Sequence, residues 1–155
     1  MASGDIILPE PPPGVAFSTT TQTGVGTTET ATLTVSNMLF AAGWAYAVTM
    51  RAAVYGTAGL QCLFRVRKSS AGGTDWGEYG RTRCEGTSAG NAASANGSLI
   101  LLRSAATDLT ATVVLTATAS SSTLNVWASS ASPRYLKIKP IGLASDYAGL
   151  GVDVT

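Results

Sequence analysis

The stretch GWAYAVTMRAAVY, Gly43 to Tyr55, decides the fold class. Read with a period of two, one face carries Trp44, Tyr46, Val48, Met50, Ala52 and Val54. The other carries Ala45, Ala47, Thr49, Arg51, Ala53 and Tyr55. Such alternation marks a strand with one buried face, whereas a helix would repeat its apolar face about every 3.6 residues. The alanines would suit a helix, but the aromatic and β-branched residues fit the strand period better. The spacing predicts a long strand with its Trp44 face in a core.

The same alternation extends outward in both directions. Residues 15–20 and 28–36 read as strands, with a turn at Gly24 to Gly26 between them. Leu60 to Lys68 places Leu60, Cys62, Phe64 and Val66 inside and Gln61, Arg65 and Arg67 outside. SSAGGTDWG, Ser69 to Gly77, reads as a hairpin loop, followed by a strand over 79–85. GTSAGNAASANG, Gly86 to Gly97, reads as a long loop of small residues. Further strands are predicted over 98–103, 109–118, 123–128 and 134–141. Eight or nine strands with no amphipathic helix and no internal repeat predict an all-β chain. The natural architecture is an antiparallel β-sandwich of jelly-roll type, with a seven-stranded immunoglobulin-like sandwich as the alternative. Three parts follow: an extended Pro-rich arm over 1–14, the sandwich over 15–143 and a C-terminal tail over 144–155. The closing strand lies between Pro133 and Pro140. Proline cannot donate to a ladder, so Pro133 is expected to mark strand entry or an edge, with outward Lys137 and Lys139 keeping that face wet and guarding against edge pairing.

Composition narrows the chemistry. The chain has 155 residues, of which 45% are hydrophobic and only 12% charged, with a net charge of +1. One domain with a real core is expected, and no overall field draws it to nucleic acid or an acidic membrane. Histidine is absent. That removes the commonest general base and metal ligand, and every Ser-His or Cys-His nucleophile pair. Asp75 and Glu78 share a loop with Trp76 and Tyr79, but such carboxylates are usually just solvated, and no catalytic residue is assigned. GVGTTE at Gly24 is neither a dinucleotide fingerprint nor a P-loop, and no cofactor or metal is expected. The N-terminus lacks the basic and apolar regions of a signal peptide, so a cytoplasmic origin is expected. That origin favours Cys62 and Cys84 as buried free thiols over a disulfide.

Binding residues can be named. Trp76 and Tyr79, on a loop flanked by glycines, could stack on a sugar or fill a protein pocket; folding back to cap the sandwich is the competing reading for Trp76. Arg65, Arg67, Lys68, Arg81 and Arg83 gather across one hairpin and could hold a phosphate-rich polymer or an acidic patch, or simply pair with Glu78 and Glu85. Pro9, Pro11, Pro12 and Pro13 form a polyproline arm that could lie along a neighbouring subunit, or could fray. So few charges suit burial against copies of the same chain, and Ala45, Ala47 and Ala53 would allow close sheet-to-sheet approach.

Four segments together, GWAYAVTMRAAVYGT, FRVRKSSAGGTDWGEY, TATVVLTA and WASSASPRYLKIKPIG, resemble the small virion surface proteins of tailed phages that infect actinobacteria. Many of these are called minor tail proteins, and similar sandwiches serve as head decorations or head fibres. The likeness spans roughly residues 40 to 143: an aromatic strand, an R-x-R strand running into a glycine-rich hairpin, and a closing SPRYL…IG strand. Where that family commonly carries acidic residues before the final Ile-Gly, this chain has Lys137 and Lys139. The resemblance implies a non-enzymatic β-sandwich, trimeric and carried on a virion. Its partners would be copies of itself, other tail or capsid proteins, and host cell-wall glycan, with neither nucleic acid nor membrane. A minor tail protein is the expected role; a shell-stabilising capsid decoration protein and a carbohydrate-binding module are the alternatives.

Overall fold

A computed structural model describes residues 9–155. These form eleven strands: β1 (Gly14–Ser18), β2 (Gln22–Val25), β3 (Thr30–Phe40), β4 (Trp44–Gly56), β5 (Gln61–Lys68), β6 (Asp75–Arg83), β7 (Ala93–Leu102), β8 (Leu109–Ala119), β9 (Leu124–Trp127), β10 (Arg134–Leu143) and β11 (Val152–Asp153). Two short 3-10 turns, Ala89–Asn91 and Ala144–Tyr147, interrupt them.

The order of pairing identifies the architecture. Apart from the short β2, β9 and β11, the first strand pairs with the last, the second with the seventh, the third with the sixth and the fourth with the fifth. These pairs are β1 with β10, β3 with β8, β4 with β7 and β5 with β6, all antiparallel. A long antiparallel ribbon rolled up on itself pairs in this way, which is the jelly roll. The first sheet runs β1-β10-β4-β7-β11, with β9 also on β4 and β2 on β9; the second runs β3-β8-β5-β6. The sandwich is therefore a jelly roll, and the immunoglobulin-like alternative is set aside.

The predicted core face of β4 is observed from Tyr46 onward, where Tyr46, Val48, Met50, Ala52 and Val54 are at most 3% exposed; Trp44 is only partly buried, and Ala45, expected outside, is fully buried. They meet Phe40, Phe64, Val66, Val113, Leu115, Leu136 and Ile138 between the sheets. Cys62 and Cys84 are buried and unbonded. Cys62 pairs across the ladder with Thr82, while the Cys84 N–H donates to Leu60 O at 2.8 Å, so the two thiols stand diagonally rather than opposite. Burial pushes the Cys62 thiol up to about 12, which leaves it unreactive.

Several expectations need correction. The turn expected at Gly24 holds β2, and the loop expected up to Gly97 ends at Ala93, where β7 begins. Of the two readings of Pro133, strand entry holds, since β10 begins at Arg134; the edge does not, because β10 pairs with β1 on one side and β4 on the other. Pro140 is tolerated there because β1 reaches only as far as Ile138, and the β10–β4 register shifts between Pro140 and Gly142. Lys137 and Lys139 do face solvent, as expected. The tail over 144–155 is part of the sandwich: Ala144 packs with Ala45 and Leu102, β11 runs parallel to β7, and Val154 is fully buried.

Candidate assembly surface

The residues singled out for binding lie on the β5–β6 hairpin, and the structure gives them other tasks. Trp76 and Tyr79 are not on a loop. Both lie within β6 and are buried, at 1% and 6% exposure. The β5–β6 register steps from Phe64 opposite Gly80 to Arg65 opposite Glu78, and from Val66 opposite Gly77 to Arg67 opposite Asp75. Each step leaves one residue of β6 without a partner, Tyr79 and then Trp76. Such bulges re-aim side chains, and here both rings turn into the core. Their polar atoms, Trp76 Nε1 and Tyr79 Oη, find no hydrogen-bond partner, and burial raises the Tyr79 phenol further above its ordinary value. Neither ring can stack on an external sugar in this structure, and the expectation of exposed aromatics is corrected.

The basic cluster is largely neutralised from within. Arg67 grips Glu29 with two hydrogen bonds, Nε to Oε1 and Nη2 to Oε2, each at 2.6 Å. A third donor, Arg67 Nη1, reaches Gly73 O at 3.0 Å. Arg65 lies 3.5 Å from both Glu29 and Asp75. The Thr116 hydroxyl donates to Glu29 as well, and this outward-facing threonine is completely covered by the network. The Arg67 guanidinium holds the Glu29 carboxyl below its ordinary value despite partial burial. On the exposed flank, Arg81 pairs with Glu78 at 2.7 Å. Among the described residues only Arg83, of the four arginines predicted to bind a ligand, has no carboxylate partner. Glu29 was not singled out from sequence, since nothing local ties it to Arg67.

This network carries a prediction. Glu29→Gln removes the charge that two arginines share and should cost about 2 kcal/mol. Because the folded carboxyl titrates below its unfolded value near 4.5, its contribution is present above that pH and lost as pH falls through the lower folded value. Urea midpoints at about pH 7 and about pH 3 should therefore converge between wild type and the variant on acidification. Equal midpoints at neutral pH would show that Glu29 contributes nothing.

The arm behaves differently from a free tail. Residues 1–8 of the expected arm lie outside the described residues. Of the prolines, Pro9, Pro12 and Pro13 are exposed but Pro11 is buried against the chain's own body. Gly14 then enters β1 so close to the second sheet that a Cβ would sit 2.7 Å from Met38 Sδ and 2.8 Å from Val35 Cγ1. From there β1 runs along the edge of the first sheet, with Val15 57% and Phe17 69% exposed. The opposite edge is β11, where Val152 and the neighbouring Leu150 are also exposed; Leu143, at the end of β10, is the fifth large apolar side chain in solvent among the described residues. The exposed apolar surface is thus concentrated on one sheet and at its two ends. Beside the arm, Glu10, Trp44, Lys139 and Tyr147 line an open groove of about 510 Å³. The Tyr147 ring lies over Gly142, where a Cβ would come 3.3 Å from its Cε2, and its hydroxyl donates to Ile141 O at 3.2 Å.

No family model matches the chain, and no curated protein matches it. Among solved structures, the chain is similar to the VP2 subviral particle of infectious bursal disease virus, with 8% identity and a TM-score of 0.44 over 98% of this chain and 48% of that one. It spans about half the length of that protein. It is also similar to a carbohydrate-binding module of the Cellvibrio mixtus lichenase 5A in complex with cellotriose, with 12% identity and a TM-score of 0.32 over 84% of this chain and 97% of that one.

Proposed function

We propose that this chain is a non-enzymatic structural protein of a tailed-phage virion, a minor tail protein displayed on the particle surface as a ring of identical copies. The observation that carries this reading is the placement of exposed apolar side chains. Val15 and Phe17 stand at one edge of the first sheet, and Leu150 and Val152 at the other. Two different patches on opposite edges of one sheet suit a head-to-tail contact, and a head-to-tail contact that closes gives a ring. A trimer is the state proposed. An edge strand with open hydrogen-bonding groups and bare apolar residues is otherwise an aggregation hazard that proteins avoid, so a natural partner is the simpler account. The arm at Pro9 to Pro13 leads directly into that edge and is placed to contact other virion proteins. A capsid decoration protein would use the same surfaces. The second reading, a module that contacts cell-wall glycan, is favoured by the Trp44–Tyr147 groove rather than by Trp76 and Tyr79.

Two measurements test this. In light scattering the wild type should be a trimer and Phe17→Asp a folded monomer, since Phe17 is 69% exposed and its replacement leaves the core untouched. A wild type that stays monomeric would overturn the ring. Immunogold labelling of phage particles then locates the protein. Gold at the tail supports the minor tail reading, gold over the head replaces it with decoration, and no gold on any particle overturns the virion reading in favour of the glycan module.

A further inference from the structure

Arg134 is the most unusual charge in the molecule. It opens β10 in phase with Leu136 and Ile138, so its side chain enters the sandwich, and it is only 7% exposed. Among the described residues no carboxylate pairs with it. Its guanidinium instead donates to three backbone carbonyls: Nη1 to Thr20 O at 2.7 Å and Val126 O at 3.3 Å, and Nη2 to Thr32 O at 3.4 Å. Its Nε is buried with no partner. Arg103, the other buried arginine, differs: its Nε, Nη1 and Nη2 donate to Thr107 O, Val154 O and Thr107 Oγ1. A buried cation held by neutral carbonyls alone bears an uncompensated desolvation cost, and burial lowers the Arg134 pKa accordingly.

The place where this charge sits is also unusual. One flank of β4 is paired with β10 as far as Arg51 opposite Tyr135, and with β9 from Ala53 opposite Trp127. The ladder therefore splits at Ala52. A cavity of about 70 Å³ opens at the split, lined by Arg51, Ser94, Trp127, Ser132, Pro133 and Arg134 among others. Arg51 Nη2 donates to Ser132 Oγ at 3.2 Å at the rim, and Arg51 too has no ion pair among the described residues. Arg51, Ser94 and Trp127 thus line a small hollow from the outer face of the sheet with no carboxylate residue among its lining, and the Arg134 guanidinium lies behind it on the inner face.

We propose that this cavity is a binding site for one small oxyanion, a phosphate or a carboxylate, held by Arg51 and Ser132 and favoured by the buried Arg134 charge behind them. A water needs about 10–15 Å³ of such space, so the cavity has room for a few waters or one tetrahedral or trigonal anion, and not for a sugar ring. Arginine presents its donors in a planar fork that matches both ligands. The site lies on the first sheet, away from the Glu29 network and two strands in from the β1 edge, in the row Phe17–Tyr135–Arg51.

Inorganic phosphate and acetate are the probes, each titrated against chloride at constant ionic strength, so that general salt effects are shared. Two-dimensional NMR would follow the arginine Nε–H and tryptophan indole N–H signals. The expected result is saturable movement of the Arg134 and Trp127 signals with at least one probe. Arg51→Ala, an exposed and foldable change, should weaken the interaction by about tenfold, with Arg51→Lys in between. Saturation by phosphate alone, or by acetate alone, identifies the anion. Signals that do not saturate with either probe would overturn the proposal. So would saturation that Arg51→Ala leaves unchanged, because the anion would then bind elsewhere.

Discussion

Trp76→Ala is expected to destabilise the fold by about 4 kcal/mol, a cost in the range of large aromatic truncations in a core. The indole is 1% exposed and meets Phe40 edge-on, with ring centroids 5.6 Å apart at 82°. Phe40 in turn meets Tyr46 at 5.0 Å and 75°, and neither ring is exposed. The Tyr46 hydroxyl accepts the Ala41 N–H at 2.6 Å, which ties the aromatic row to the turn between β3 and β4. Three rings from β3, β4 and β6 therefore link the two sheets, and Trp76 is the largest of them. Because Nε1 has no partner, no hydrogen bond is lost in the substitution, and the whole effect is packing. Trp76→Phe should consequently recover much of the loss. Urea denaturation measures both variants; a cost below about 1 kcal/mol for the alanine would mean that the ring fills no core space. One corollary bears on function. Failure of a Trp76→Ala variant to bind cells would report a damaged fold and not a missing sugar contact.

The features that could be read from sequence are those that obey a period of two. The β4 strand, the inward set of β5 and the β8 strand all keep that period, and their core faces are where alternation puts them. Trp76 and Tyr79 do not keep it. They are three residues apart, a separation that puts side chains on opposite faces of a regular strand, and only the register shifts along β6 bring both inward. Bulges leave little local signal in sequence beyond the neighbouring glycines, Gly77 and Gly80. The short strands β2 and β11 escaped for another reason: with four and two residues, they exist because a longer strand is there to receive them. The Glu29 network was invisible because its partners lie 36 and 38 residues away. Arg134 was legible and overlooked. It precedes Leu136 and Ile138 by even steps, so the phase that buries them buries it too.

The fate of the hairpin charges also sharpens the assembly argument. With Arg65 and Arg67 neutralised by Glu29 and Asp75, and Arg81 by Glu78, most of the charge on the outer surface of the second sheet is paired within it, Arg83 excepted. The first sheet has no such network. Its outer face carries Ala47, Thr49 and Ala53 together with the exposed Arg51, Lys137 and Lys139, and its two edges carry the exposed apolar residues. The apolar edges, rather than this basic centre, lose little hydration when they are covered, which is the condition for burial against a copy of the same chain.

Gly97→Ala is expected to cost about 3 kcal/mol, although it adds a single methyl group. Gly97 pairs with the inward-facing Met50, so a side chain there would point into the sandwich. Tyr79, arriving from the other sheet, already occupies that space. A Cβ on Gly97 would lie 2.3 Å from Tyr79 Cδ1, 2.6 Å from Cε1 and 2.5 Å from the Tyr79 carbonyl oxygen. The ring is buried and has little room to swing, and the carbonyl cannot retreat without moving β6 against β5. Gly80→Ala is the internal control. Its Cβ would have nothing closer than Asn96 O at 3.9 Å, and its backbone lies outside the left-handed region. There the reduced freedom of the unfolded chain should stabilise the protein by about 0.5 kcal/mol. The two glycines are thus predicted to move urea midpoints in opposite directions. Adding Tyr79→Ala to Gly97→Ala should give a double variant more stable than the sum of the two single losses, because the ring clash is relieved while the carbonyl clash remains. Strict additivity of those two losses would show that the Tyr79 ring does not rest on Gly97.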